Sequence, residues 1–236
     1  MENHHEIRTA TVLQNRLISS ITATHHIDLA VSGFEFVPGQ FISILNTRQF
    51  PQDHPRNGEA RVDTHAYSLS SPPSAEGFSL TVNRVRTPAG PGYFSSYLCN
   101  LVPGATIRFH GPHGNFTLRE NPTAPVLMLS EGSGIAPIRS ILLSAPGTRA
   151  HLIQAAIDIP PLYIAEFSAL PALQYEPVNL DSKHAASLDA AARALTADPT
   201  IRAAYIVGLS AFVNAHREQL KSLGWDRSQI IAERYD

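Results

Sequence analysis

The chain has 236 residues, 43% of them apolar, which suits one large globular domain or two small ones and argues against disorder. Its 18 basic and 20 acidic residues form no long run of either sign, so the charge pattern predicts neither a nucleic-acid-binding nor a membrane-surface protein. No window reaches the roughly 18 apolar residues of a membrane span, and the first residues lack the pattern of a signal peptide. We therefore expect a cytoplasmic protein whose partners are small molecules or one other protein.

The first half of the chain, up to Asn121, contains short β-branched or alternating runs that Gly, Pro and Asn interrupt. This pattern is typical of a small antiparallel barrel or sandwich. Residues 46–63 are polar and predict a long exposed loop. One helix is predicted over 93–101, and the predicted strands are 10–19, 27–31, 40–45, 66–70, 78–85 and 106–110.

After a proline-rich hinge at 122–125, apolar strands alternate with alanine-rich helices. The predicted strands are 126–129, 150–155, 173–178, 203–207 and 229–232, and the predicted helices are 136–144, 162–170, 185–196 and 211–223. Such alternation implies a mostly parallel sheet with helices on both faces and ligands at the carboxyl ends of its strands. The predicted fold class is thus a two-domain β + α/β protein, with an N-terminal antiparallel β-barrel over 1–121 and a C-terminal Rossmann-like parallel sheet over 122–236.

The turn after the apolar run 126–129 is the clearest signal of a ligand site. It reads Gly132-Ser133-Gly134-Ile135-Ala136-Pro137 and lies between a predicted strand and a predicted helix. Glycines at such a turn let the backbone approach a ligand, and the free N–H groups of the helix start attract an anion, as in dinucleotide sites. A tight turn without a ligand is the alternative interpretation.

A second signal lies in the first half, at His65-Ala66-Tyr67-Ser68. An aromatic face beside a hydroxyl suits a flat ring with polar edges, because stacking gives affinity and a hydrogen bond sets the orientation. A packed tyrosine at the end of a strand is the simpler interpretation of the same four residues.

Taken in chain order, these segments resemble the ferredoxin–NADP reductase superfamily, whose members join a flavin-binding β-barrel to a nicotinamide-binding α/β domain. The resemblance extends from about Phe36 to Tyr235. Besides the glycine turn, the resemblance rests on five segments. Residues 65–68 correspond to the family's Arg-x-Tyr-Ser, residues 92–98 to Gly-x-x-Ser-x-x-Leu, and residues 111–116 to Gly-Pro-x-Gly-x-Phe. The other two segments are the barrel turn at 36–41 and the C-terminal segment 230–235.

The resemblance implies that Tyr67 packs on the flavin ring, that Ser68 lies near its reactive nitrogen, and that Glu233 joins them as a catalytic residue. The segment at 92–98 corresponds to a diphosphate site, so FAD is preferred to FMN. The remaining residues that the resemblance assigns to the flavin are His65, Ala66, Val82, Asn83, Arg84, Gly92, Tyr93, Phe94, Ser95 and Tyr235.

Position 65 departs from the family, because His65 replaces an arginine that neutralises the flavin phosphate. A neutral imidazole offers one donor where guanidinium offers five and a permanent charge. Arg84, in the predicted strand 78–85, is the candidate replacement cation.

For the nicotinamide nucleotide, the resemblance implies contacts with Gly132, Ser133, Gly134, Ile135, Pro137, Val207 and Gly208. Here too the chain departs from the family: Glu131 replaces a small residue, and Val207 and Leu209 replace the Cys and Pro of a Cys-Gly-Pro segment. After the strand predicted at 150–155, the chain offers Asp158 and no basic residue, which favours NADH over NADPH.

Other cofactors have little support in the sequence. The only cysteine, Cys99, excludes an internal disulfide and cannot bind an iron–sulfur cluster by itself. The 11 histidines lack the spacing of a metal site, so we predict no metal.

The leading hypothesis is an NAD(P)H-dependent flavin oxidoreductase that reduces bound FAD with NADH or NADPH and passes electrons to a small-molecule or protein acceptor. One alternative is a flavin-binding electron-transfer or regulatory subunit with a weakened nicotinamide site. The other is a non-redox enzyme or binding protein that uses the same two-domain cleft for a different ligand.

Overall fold

Six antiparallel strands form the first sheet of the computed structural model, which describes residues 6–49, 60–87, 90–119, 124–158 and 160–235. The strands are β1 (Arg8–Ser19), β2 (Thr24–Ala30), β3 (Phe41–Gln49), β4 (Ala60–Ser68), β5 (Gly77–Asn83) and β8 (Thr106–His113). Their order in the sheet is β4-β3-β8-β1-β2-β5. Leu69, directly after β4, pairs with Leu80 of β5 and closes the sheet into a barrel.

Alternating side chains fill this barrel. In β3, Ile42 and Ile44 are fully buried, whereas the residues between and around them are only half-buried. Phe34, Phe78 and Phe109 pack against one another at the centre, with ring centroids 5.1 to 5.4 Å apart. Period-two alternation of this kind is what places one face of each strand in the core.

The barrel strands occur in the predicted order, but the prediction of a loop over 46–63 is wrong. Residues 46–49 belong to β3 and 60–63 to β4, with Asn46 paired to Asp63. Thr47 and Val62 in this hairpin are exposed, so a polar composition is compatible with strand pairing there. The middle of the predicted loop, 50–59, lies outside the described residues.

Between β5 and β8 lie a two-residue hairpin and one short helix. The hairpin, β6 (Arg86–Thr87) with β7 (Gly90–Pro91), was not predicted, because its strands are too short to show a pattern. The helix α1 (Tyr93–Cys99) begins where the sequence predicts and ends two residues earlier.

The second half forms a five-stranded parallel sheet in the order β11-β10-β9-β12-β13. Its strands are β9 (Val126–Glu131), β10 (Ala150–Ala156), β11 (Leu173–Asn179), β12 (Ala203–Gly208) and β13 (Ile230–Arg234). The helices are α2 (Ile135–Ser144), α3 (Ile164–Ser168), α4 (Ala185–Ala197) and α5 (Ser210–Ser222). All residues of β9 and β10 are buried, as expected for strands covered on both faces.

Every predicted strand and helix of this half is present. The helix α3 is shorter than predicted, because Tyr163 before it adopts a left-handed conformation with φ of 61°. A left-handed residue interrupts a right-handed helix, so α3 cannot begin at residue 162.

A polar network joins the barrel to the α/β half. The hydroxyl of Tyr163 lies 2.9 Å from Nδ1 of His26 and 2.7 Å from Oγ1 of Thr81, both on barrel strands. The guanidinium of Arg139 lies 4.5 Å from the centre of the Tyr163 ring and donates to the carbonyl oxygen of Ser70 at 2.6 Å. These contacts fix the orientation of the two sheets. The domain boundary at 121/122 falls within 120–123, outside the described residues, and stays a prediction.

In the part of the chain that the structure describes, no helix is both long enough and apolar enough to cross a membrane.

Gly39, in the turn before β3, also lies where the two halves meet. Its φ is +98°, and a Cβ atom there would overlap the carbonyl oxygen of Phe116 and lie 3.1 Å from Cδ1 of Ile141 in α2. We expect Gly39→Ala to lower the free energy of unfolding by about 2–4 kcal/mol, through backbone strain and overpacking. Gly147→Ala is the control, since nothing lies within 4 Å of its added Cβ. Equal urea-denaturation midpoints for the two variants would contradict this account.

A second prediction concerns His216 of α5, which is fully buried and hydrogen-bonded through Nε2 to Ser187 at 3.0 Å. Burial lowers the pKa of His216 from 6.5 to about 4, although Gln219 acts in the opposite direction. As the pH falls from about 7.5 to 4, His216 takes up a proton in the unfolded chain but stays largely neutral in the folded protein. Its titration therefore lowers the free energy of unfolding by roughly 3 kcal/mol over this range. Gln at position 216 retains a donor for Ser187 but does not titrate. Urea denaturation across this pH range should show a shallower loss of stability for His216→Gln, and an unchanged slope would contradict the prediction.

Candidate functional site

Three polar side chains meet where the barrel contacts the carboxyl edge of the parallel sheet. The hydroxyl of Tyr235 donates to Oγ of Ser68 at 2.9 Å, and Ser68 donates to Oε1 of Glu233 at 2.8 Å. Ser68 ends β4, whereas Glu233 lies in β13 at the other end of the chain. The structure thus brings two of the three predicted catalytic residues, Ser68 and Glu233, together with Tyr235. The third, Tyr67, packs against the barrel core and His65.

Burial raises the pKa of Glu233 to about 7, while the hydrogen bond from Ser68 acts in the opposite direction. A carboxyl with this pKa exchanges a proton at neutral pH, which is the property of a general acid or base. The same burial raises the pKa of the Tyr235 hydroxyl well above its ordinary value, so this phenol stays protonated and acts as a donor.

Gly114 lies beside Glu233, and Phe41 lies beside Gly114; neither was among the predicted site residues. A Cβ on Gly114 would lie 2.9 Å from Cδ1 of Phe41 and 3.8 Å from Oε2 of Glu233. Gly114 has a φ of +95°, so both its conformation and its lack of a side chain leave room beside the carboxylate. The motif at 111–116 contains Gly114 and was the sequence signal available for it. The spacing of the motif did not show that this glycine faces Glu233.

An aromatic group lies next to Ser68. The imidazole of His65 stacks on Phe94 at the start of α1, with centroids 5.5 Å apart and an interplanar angle of 24°. Tyr67 meets the same imidazole edge to face at 5.2 Å. Partial burial lowers the pKa of His65, so the imidazole is neutral at pH 7. It therefore cannot replace the permanent charge of an arginine.

The start of α1 is held by Ser95. Its Oγ accepts the N–H of Val85 at 3.1 Å and donates to the carbonyl oxygen of Gly92 at 3.2 Å. Tyr93 donates to the carbonyl oxygen of Thr47 at 3.0 Å, which ties this turn to β3. Ala66 precedes Tyr67 in β4 and is exposed, whereas Tyr67 packs against the barrel core.

Val82 and Asn83 end β5, and Arg84 follows them. Val82 is buried, and the sulfhydryl of Cys99 lies 3.8 Å from its carbonyl oxygen. The guanidinium of Arg84 donates to Oδ1 of Asn100 at 2.8 Å, at the C-terminal end of α1. Arg84 thus lies at the opposite end of this helix from Gly92 and Ser95, and its contact with a phosphate stays a prediction.

The glycine turn lies between β9 and β12, where the sheet order reverses direction. Gly132, Ser133 and Gly134 form one turn of 3-10 helix that leads into α2, in which Ile135 and Pro137 are buried. Gly134 packs on the end of β12, since a Cβ there would lie 2.8 Å from the carbonyl oxygen of Val207. A reversal point of this kind is the usual ligand crevice of an open parallel sheet.

Glu131, the last residue of β9, points across this crevice. Its Oε2 accepts the N–H of Leu209 at 2.9 Å, directly before α5. The carbonyl oxygen of the neighbouring Gly208 accepts the N–H of Tyr235 at 3.1 Å. The end of β12 therefore connects the glycine turn to the group formed by Ser68, Glu233 and Tyr235.

Asp158 does not face this crevice as an open ligand. Its buried carboxylate accepts hydrogen bonds from Ser19 and from the hydroxyl of Thr22, the latter at 2.9 and 3.1 Å. Both donors belong to the hairpin between β1 and β2. The carboxylate is used in the contact between the two halves, which removes it as a partner for a ribose.

The chain is 33% identical over 195 residues to the "Ferredoxin--NADP reductase B" of Sorangium cellulosum, covering 72% of this chain and 78% of that protein. This chain belongs to the ferredoxin–NADP reductase superfamily. It also matches the flavohemoprotein of Oceanobacillus iheyensis, at 32% identity over 129 residues, or 52% of this chain and 30% of that protein. No family model matches the chain.

Solved structures show the same fold. The ferredoxin-NADP+ reductase from Plasmodium falciparum superposes with a TM-score of 0.79 at 17% identity, covering all of this chain and 98% of the other. The flavohem-like FAD/NAD-binding domain of a nitric oxide dioxygenase from Vibrio cholerae gives 0.73 at 21% identity, with 97% and 98% covered. At this level of identity the structures establish the fold.

Membership of the ferredoxin–NADP reductase superfamily confirms several predictions from the sequence. The protein is an NAD(P)H-dependent flavin oxidoreductase with the two-part fold, and FAD and NAD(P)H are its cofactor and co-substrate. The non-redox alternative loses its support. The roles of individual site residues stay predictions, which the geometry above makes specific.

Glu233 supplies the sharpest of these tests. Glu233→Gln preserves the size of the side chain and an acceptor for Ser68 but removes the titrating group. We expect the turnover of NAD(P)H with an artificial acceptor to fall by about 10²-fold and to lose the inflection near pH 7. Turnover measured from about pH 5.5 to 9 checks this, with Glu35→Gln on the barrel surface as the control. A Glu233→Gln profile with the inflection intact would assign the pKa to another group.

Proposed function

We propose that the protein transfers a hydride from a nicotinamide nucleotide to bound FAD and passes the electrons to a small-molecule or protein acceptor. The observation that carries this proposal is the hydrogen bonding of Ser68 of the barrel with Glu233 and Tyr235 of the α/β half. This contact joins the segment expected to bind the flavin to the edge of the sheet where nucleotides bind. Hydride donor and acceptor would then meet between the two sheets.

The residues on the barrel fit a flavin. Tyr67 offers an aromatic face, and the pair of His65 and Phe94 offers a second one. The segment from Gly92 leads into a helix whose start is held in place by Ser95, and the N–H of Gly92 itself donates to the carbonyl oxygen of Val85 at 2.9 Å. We assign the ring to Tyr67 and the diphosphate to the start of α1. When bound, the flavin supplies hydride acceptance and electron release in one or two steps.

Glu233 and Ser68 handle the proton in this proposal. With a pKa of about 7, Glu233 holds or releases a proton near neutral pH, and the hydroxyl of Ser68 conducts it between the carboxylate and the space beside Tyr67. Tyr235 donates to Ser68 and orients its hydroxyl toward Glu233.

We assign the nicotinamide nucleotide to the crevice between β9 and β12. The turn at Gly132, Ser133 and Gly134 follows β9 there, and Gly134 packs directly on the backbone of Val207 and Gly208 at the end of β12. Val207 lacks the polarizable sulfur of the family's cysteine. Its side chain is fully buried in the core of the α/β half, so it contributes packing and not chemistry, and the flavin carries the reaction.

NADH is the proposed donor. From Ala156 to Glu166, after β10, the sequence contains no Lys or Arg that can pair a 2′-phosphate. At the end of the next strand, β11, the carboxylate of Asp181 accepts three backbone N–H groups at the start of α4. The carboxylate of Asp181 near this edge disfavours the additional charge of NADPH.

A protein acceptor of the ferredoxin type is favoured over a small molecule by the name of the relative from Sorangium cellulosum, of which this chain covers 78%. The chain itself carries one cysteine, Cys99, and cannot provide the cluster. A second candidate function, an electron-transfer subunit with a weakened nicotinamide site, is favoured by one observation, the carboxylate of Glu131 at the glycine turn.

The proposal predicts that NADH bleaches the visible absorption of the FAD-loaded protein under anaerobic conditions. We expect kcat/KM with NADH to exceed that with NADPH by at least about tenfold, since one uncompensated charge contact is worth more than about 1.4 kcal/mol at partly buried sites. Stopped-flow absorption with each nucleotide checks both statements. Bound FAD that neither nucleotide reduces would favour the electron-transfer subunit instead, and equal rates would remove the preference for NADH.

A further inference from the structure

Glu131 is a buried carboxylate without a cationic partner at the proposed nucleotide crevice. It is 8% exposed, and no Lys, Arg or His among the described residues forms an ion pair with it. Its Oε2 accepts a hydrogen bond from the N–H of Leu209 at 2.9 Å. Buried charges are ordinarily paired, so this arrangement needs an explanation.

The start of α5 supplies part of that explanation. Leu209, directly before the helix, has no polar side chain, and the carboxylate of Glu131 provides the missing acceptor from the neighbouring strand. Gly208 is required for this contact, because a Cβ there would lie 2.8 Å from Cβ and 3.0 Å from Oε2 of Glu131. The resident carboxylate therefore occupies the positive end of a helix that borders the crevice.

We propose that Glu131 is an affinity- and specificity-determining residue whose negative charge weakens binding of anionic dinucleotides at the glycine turn. The inference rests on the proposed function, since it concerns the nucleotide crevice between β9 and β12. A diphosphate that approaches Gly132–Gly134 meets a carboxylate attached to the preceding residue, in a site shielded from water. An uncharged dihydronicotinamide does not experience this repulsion, so the penalty depends on the charge of the ligand.

A purely structural role for Glu131 makes a different prediction. The hydrogen bond to Leu209 holds the end of β12, where Gly208 accepts the N–H of Tyr235, so loss of the bond would displace Tyr235 whatever the ligand charge. Glu131→Gln separates the two roles, because the amide oxygen still accepts from Leu209 while the charge is gone. Glu131→Ala removes both the negative charge and the hydrogen-bond acceptor.

The experiment uses the FAD-loaded full chain. Isothermal titration with NAD+ measures binding without turnover, and stopped-flow flavin reduction compares NADH with the uncharged donor dihydronicotinamide riboside. We expect Glu131→Gln to bind NAD+ about five- to tenfold more tightly at low ionic strength, and this ratio to shrink toward one near 1 M salt as the charges are screened. Its apparent affinity for the riboside should match that of the wild type.

Glu218→Gln is the control, because it removes one exposed carboxylate from the far part of α5, where Glu218 pairs with Lys221. It should leave the affinity for NAD+ unchanged at every salt concentration. Unchanged or weaker binding of NAD+ by Glu131→Gln overturns the inference, as does an equal gain for the uncharged riboside. If the proposed function itself is wrong, neither NADH nor the riboside reduces the flavin bound to the wild-type protein. This result differs from the outcomes that overturn the inference about Glu131.

Discussion

The hydrogen bonds of Ser68 with Glu233 and Tyr235 are the interaction on which the functional interpretation of this structure depends. They join residues that are 165 and 167 positions apart, so they form only when the barrel and the parallel sheet are docked in one orientation. That orientation is set on another side of the interface, where Tyr163 reaches His26 and Thr81. Rigid docking is what fixes a carboxylate against a hydroxyl within hydrogen-bond distance.

Burial at this junction has a chemical consequence. A carboxyl in water titrates well below neutral pH, whereas Glu233 between the two halves has a pKa of about 7. Glu131, at the edge of the neighbouring crevice, is similarly shielded but contacts the start of a helix. The two carboxylates are thus placed in different surroundings: that of Glu233 exchanges a proton near neutral pH, and that of Glu131 accepts the N–H directly before a helix.

The sequence predicted most of the elements, and its failures have identifiable causes. The edge hairpin of β3 and β4 was missed at 46–49 and 60–63 because an edge strand with little burial carries no apolar signal. Asp158 looked like a ribose ligand from its place after β10, yet hydroxyls of the β1–β2 hairpin bind it. Phe41 and Gly114 were overlooked beside Glu233, since nothing in their spacing indicates what they face.

By itself, the sequence determined the order of the main strands and helices and the two-part architecture, because hydrophobic periodicity and glycine turns are local properties. Its motifs resemble those of the ferredoxin–NADP reductase superfamily, and its identity to a relative shows the membership. The tertiary structure alone decided the surroundings of each charged group. It placed Glu233 in a buried hydrogen-bonded chain, Arg84 at Asn100, and Glu131 at the start of α5. The physical reason is that burial, pKa and partner choice depend on residues distant in the chain, which meet only when the two sheets pack together.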